Sequence, residues 1–119
     1  MARFGTVNYL QQINNDTFTD KAINFFAADG TTPLDLTDAT PKVVIRKGGY
    51  NGRIVETCTI SNGLTWTSQV LGQLVFGGFD LDWGSTGDFY YDLQLTYATS
   101  GITRTYIRGK IQILEDSTE

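Results

Sequence analysis

The chain has 119 residues, 9 basic and 13 acidic with no histidine, for a formal net charge of -4. A pI near 4.6 sets a long-range field that repels phosphate backbones, so nucleic acid is not an expected partner. The mean hydropathy of -0.18 suits a globular chain with no need of a membrane, and area scaling at 13.2 kDa buries about two thirds of the unfolded surface, enough for one core.

Residues 1–14 carry Phe4, Val7, Tyr9, Leu10 and Ile13 with no neighbouring segment to pair with, and read as an N-terminal arm or an extra strand. An apolar run over 18–28 ends at the turn signal Asp29-Gly30 and predicts an early strand. The Thr-rich stretch 31–40, with Pro33, Asp35 and Asp38, is a connector held by side-chain to backbone hydrogen bonds, with Leu34 and Leu36 dipping into the core. Residues 42–47 predict a strand running into the glycine-rich loop 48–52 around Tyr50. A strand over 53–60 places Ile54, Cys58 and Ile60 on one face, with Glu56 as the exception. Asn62-Gly63 then predicts a type I′ hairpin, after which Leu64, Trp66, Ser68 and Val70 share a face.

Residues 73–80 predict another strand, bent at Gly77 and Gly78. The clearest alternation follows: Phe89, Tyr91, Leu93, Leu95 and Tyr97 on one face, Tyr90, Asp92, Gln94 and Thr96 on the other. A final strand completes a hairpin with Ile107, Gly109, Ile111 and Ile113 facing in, and the tail 115–119 is acidic and solvated. Seven or so short strands between regular turn signals, without a helical period, make residues 15–114 an all-β antiparallel sandwich.

The missing histidine removes the usual base for a Ser or Cys nucleophile. Cys58 sits mid-strand, where a thiol serves as a small hydrophobe, and one cysteine gives neither a zinc site nor an internal disulfide. The lone thiol and the absence of a secretory signal suit a reducing cytosol. Asp80, Asp82, Asp88 and Asp92 form one carboxylate cluster, but their spacing is not that of a calcium loop. An acid and base pair for sugar hydrolysis would need a fixed separation across a cleft. The plainer reading is that Asp80 or Asp82 caps a helical turn through 83–85 and that Asp88 and Asp92 flank strand ends. The expectation is therefore a non-enzyme without cofactor or metal. Trp66 belongs to the core, while Tyr50 and Trp83 have the ring type that stacks on sugars or anchors an interface. Arg46, Lys47 and Arg53 bracket the Tyr50 loop with a small basic patch that suits a protein partner.

Three segments, 30–39 (Gly-Thr-Thr-Pro-Leu-Asp-Leu-Thr-Asp-Ala), 87–96 (Gly-Asp-Phe-Tyr-Tyr-Asp-Leu-Gln-Leu-Thr) and 101–110 (Gly-Ile-Thr-Arg-Thr-Tyr-Ile-Arg-Gly-Lys), together resemble an immunoglobulin-like module of tailed-bacteriophage particles. The module is similar to the N-terminal domain of baseplate upper, tail-fibre and head-fibre proteins. Where that pattern has its first Tyr this chain has Phe89, so a tyrosine-corner hydroxyl is not expected there. The resemblance implies an immunoglobulin-like sandwich of seven to eight strands in a virion structural protein assembled in the bacterial host cytoplasm. It implies docking on capsid, neck or tail-baseplate components, in multiple copies or as a homo-oligomer, without nucleic acid or membrane. The expected contact residues are Arg3, Phe4, Val7, Tyr9 and Leu10 in the arm and Tyr50 in the loop, and removal of residues 1–13 is expected to leave the domain folded. The alternative is a carbohydrate-binding module for host-surface adsorption, with Tyr50 and Trp83 as platforms.

Overall fold

A computed structural model describes residues 5–13, 16–27, 29–83 and 86–114. Their strands are β1 (Gly5–Thr6), β2 (Tyr9–Ile13), β3 (Thr17–Phe18), β4 (Lys21–Asn24), β5 (Ala39–Lys47), β6 (Arg53–Ile60), β7 (Gly63–Ser68), β8 (Gln73–Phe76), β9 (Phe79–Asp80), β10 (Gly87–Tyr97) and β11 (Thr103–Leu114). Nine of them join in one sheet, ordered β1-β11-β10-β5-β6-β7-β8-β4 with β2 also on β11, while β3 and β9 form a small second sheet. The long sheet curls so that its two halves face each other across a shared core, within an envelope of 48 × 27 × 24 Å.

The main ladders are antiparallel, β10 with β11, β10 with β5, β5 with β6, β7 with β8 and β8 with β4. Parallel pairing occurs where β1 and β2 lie along β11 and where β6 meets β7. The alternation of β10 dictates its place at the centre: Phe89, Tyr91, Leu93 and Leu95 are fully buried, opposite the inward positions of its neighbours β5 and β11. Beneath them Phe18, Leu64, Leu74, Phe76 and Leu81 close the other side. Leu36 is fully buried and Leu34 packs against the core, so the connector does send both inward. Cys58 is buried; burial, with Glu56 nearby, pushes its thiol up to about 12, which makes it an inert filler.

Three local expectations are corrected. Ile54 and Ile60 do not join Cys58 inside: they are 50% and 40% exposed. A register shift between Ile45 and Arg46 re-phases Ile54 against β5, and Ile60 lies past the β5 ladder, where β6 meets β7. Val70 lies outside because β7 ends at Ser68 and the chain turns through 69–72. The Asn62-Gly63 signal makes no simple hairpin. Thr59 donates its N–H to the Asn62 carbonyl, Ser61 takes φ 68, and β7 leaves parallel to the end of β6, so the chain turns a corner between the two halves of the sheet. Gly63 is needed there, since a Cβ would press on the Cys58 side chain.

Candidate functional site

Of the six expected contact residues, Arg3 and Phe4 lie outside the described residues, as do Gly84, Ser85 and the tail 115–119. The other four converge on β11 from two directions. The chain passes along the free edge of β11, where Gly5 and Thr6 pair with Ile107 and Arg108, and the Val7 N–H donates to the Arg108 carbonyl at 3.0 Å. The Asn8 side chain then accepts from the Lys110 N–H at 3.0 Å, and Tyr9 pairs with Ile111. Val7 and Leu10 are exposed along this edge.

Tyr9 points the other way. Its ring meets Phe18 at 5.2 Å, Tyr91 at 5.7 Å and Phe76 at 6.1 Å, which places it against the core. Burial raises the Tyr9 hydroxyl above its ordinary value. The Tyr91 hydroxyl, raised by burial and then by Tyr9, donates to the Val7 carbonyl at 2.6 Å. Phe89 has no hydroxyl, and the tie between strand and backbone is made two residues later by Tyr91. Gly109 permits it, because a Cβ at that position would overlap the Val7 carbonyl. Residues 5–13 carry a ring packed on the core and accept a hydroxyl hydrogen bond, so a cost in stability is expected on their removal.

Tyr50 approaches β11 across the outward face of the sheet. Its ring lies edge-on to Tyr90 at 5.0 Å, and the Arg108 guanidinium sits 4.5 Å from its centroid. Arg108 Nε donates to Asp92 Oδ1 at 2.6 Å, and Asp92 is the one buried charged residue among those described. Asp88 pairs with Lys110 at 3.5 Å on the same face. Register places Ile54, Arg46, Tyr90 and Lys110 in one row across four strands. Arg46 donates through Nη1 to the Gly52 carbonyl at 3.2 Å and so holds the loop root, while its Nε is buried without a partner. Lys47 turns aside to the Thr86 carbonyl and over the Phe89 ring, so the bracket of three cations around the loop does not form one patch.

Among the described residues no group of three or more His, Cys, Asp or Glu is placed to hold a metal. The carboxylate cluster of the sequence is dispersed: Asp80 accepts from Thr17, and Asp88 and Asp92 face outward to different cations. Trp83 packs on Phe89 at 4.9 Å and Phe79 at 6.1 Å, with its Nε1 donating to Glu56 at 3.4 Å. The sequence reading does not connect Tyr90, Asp92 and Arg108 with the Tyr50 loop. Their signal was present as opposite charges at facing positions of two alternating strands, Asp92 beside Arg108.

This two-layer arrangement, with long antiparallel ladders and a first strand parallel to the last, is an all-β immunoglobulin-like sandwich. It is similar to the crystal structure of CopC from Methylosinus trichosporium OB3b, at 8% identity and a TM-score of 0.50 over 92% of this chain and 88% of that one, a likeness of fold alone. No family model and no curated protein matches the chain.

Proposed function

We propose that the chain is a non-enzymatic structural module of a tailed-phage particle, docking on capsid, neck or tail-baseplate components through protein–protein contacts. The observation that supports this reading best is the convergence on Arg108. A tyrosine and an arginine are stacked on the outward face, one strand away from an exposed edge bearing Val7 and Leu10. Tyr and Arg are the residue types that anchor interfaces, and ordering them beforehand lowers the entropic cost of docking. A free sheet edge adds a second mode, strand addition by a neighbour. The likeness of residues 30–39, 87–96 and 101–110 to phage modules supplies the setting, a virion assembled in the host cytoplasm without nucleic acid or membrane contact. The carbohydrate reading needs Trp83 as a platform, and that ring is taken up by Phe79, Phe89 and Glu56.

The test is mass spectrometry of gradient-purified particles from the chain's source. The chain co-purifying at a fixed ratio to the major capsid protein supports the proposal, and its confinement to the soluble fraction overturns it. In the supporting case Leu10→Glu and Tyr50→Ala are expected to reduce incorporation while the purified variants keep the parent circular dichroism spectrum.

A further inference from the structure

The end of the sandwich away from the Tyr50 loop gathers three segments. The Phe25 N–H donates to the Gly72 carbonyl, the Leu36 N–H to Gln69, and the Ala98 N–H to Asp38. Side chains stiffen the assembly. Gln69 Nε2 donates to the carbonyls of Leu36, Thr37 and Ala39, Asp38 receives Thr99, and Asp29 and Asp35 receive Thr32 and Thr37. On this rigid base Phe26, Val70, Leu71 and Ile102 are each 46% to 59% exposed. Phe26 bridges to Pro33 just beyond β4, and Leu71 lies in the turn whose Gly72 carbonyl accepts the Phe25 N–H. Four large apolar side chains at one end, beside the exposed Asp29 and Asp35, make a contact surface with acidic character.

The outward face near the opposite end of β5 is its chemical complement. Ile54 is half exposed on β6 across from Arg46, which separates it from Tyr90 on β10, and Lys42 lies on the same outward face about four residues back along β5. Arg46 and Lys42 have no carboxylate partner among the described residues, whereas Arg108 and Lys110 are matched by Asp92 and Asp88. The two surfaces are separated by about 20 Å of strand. We propose that the apolar acidic end of one copy docks on the aromatic basic face of a second copy, a heterologous contact between identical chains. This deepens the docking reading by naming one of its partners. Four apolar side chains make a small patch by the standard of specific interfaces, which bury on the order of 1,200 Å² or more in total. The association is therefore weak in solution and adds up only when copies are held together.

The experiment uses the purified full chain in sedimentation equilibrium from about 10 μM to about 1 mM, at low salt and at about 0.5 M salt. The average mass is expected to rise with concentration and to fall back in salt. Two variants follow, Val70→Ser/Leu71→Ser at the apolar end and Lys42→Glu/Ile54→Glu on the basic face, all at exposed positions. Each is expected to be monomeric alone, and their equimolar mixture to form a heterodimer and stop there, because each retains the surface the other lacks. A parent chain monomeric at every concentration, a mixture that stays monomeric, or association of either variant alone overturns the proposal. If a double variant has a lowered Tm, Val70→Ser and Lys42→Glu singly serve in the same mixing design. No particles are needed, so this outcome stands apart from that of the particle analysis.

Discussion

Residues 5–13 and the loop 48–52 approach β11 from its edge and from its outward face, and each delivers one tyrosine. Tyr9 ends in a cage of Phe18, Phe76 and Tyr91, and Tyr50 ends on Tyr90 and Arg108 with water on its other side. The edge segment is fastened by hydrogen bonds on both sides of a pinch point and by a buried hydroxyl, while the loop is held by the Tyr90 ring and by two arginines, Arg46 and Arg108. Tyr9 is thus a structural residue whose segment happens to present an edge, and Tyr50 is a surface residue that happens to be ordered. Contact residues belong where substitution changes docking without changing stability, and the two tyrosines should separate on that criterion.

The sharpest way to break the comparison is Gly109→Ala. The added methyl meets the Val7 carbonyl, so either the edge segment detaches or β11 shifts, and a loss of about 3 kcal/mol or more is expected in urea unfolding. An unchanged midpoint would show the segment to be dispensable. Tyr9→Ala should cost about 2 to 3 kcal/mol through the cavity left among the three rings, measured the same way. Tyr91→Phe leaves the Val7 carbonyl unsatisfied for about 1 to 2 kcal/mol, with faster amide exchange expected at residues 5–13. Tyr50→Ala should cost no more than about 1 kcal/mol, since its edge and cation contacts are half exposed. Were Tyr50→Ala as damaging as Tyr9→Ala, the loop would be part of the fold's foundation and the division would fail.

A separate effect is confined to alkaline pH. The unfolded Cys58 thiol ionises near 9 and the folded one near 12, so in that window the unfolded chain has released a proton the native chain retains. Stability then falls as pH rises. Tyr97, raised to about 12 by burial and by the Tyr106 hydroxyl, adds a slope of the same sign above pH 10. Titrating the unfolding midpoint of Cys58→Ala between pH 8 and 12 should give a shallower decline than the parent.

What was legible in the sequence was local. The two-residue period of β10 names its buried face without any partner, and the glycine pair at 77 and 78 announces the bend that sends the chain from β8 to β9. What was hidden depends on neighbours remote in sequence. Nothing within residues 5–13 says that their partner is β11, about a hundred positions away, so an arm and a strand look the same there. Ile54 reads as a core position until the bulge at its neighbour Val55 turns the strand. Tyr50 and Arg108 are drawn together only by the β10 to β11 ladder and the fold-back of the loop, which explains why Tyr50 alone could be picked out.

The parallel seam between the first strands and the last has a kinetic corollary. The Asn8 to Lys110 bond spans 102 positions, so on a nascent chain β1 and β2 have no mate until β11 has been made. Until residues 103–114 emerge, Tyr91 and Phe76 lack the lid that Tyr9 provides, and once β11 has zipped to β10 its far side remains open for pairing with any passing strand. The seam closes only after β11 is present, and a copy whose seam is open offers an unpaired edge on which a neighbour's first strand can pair.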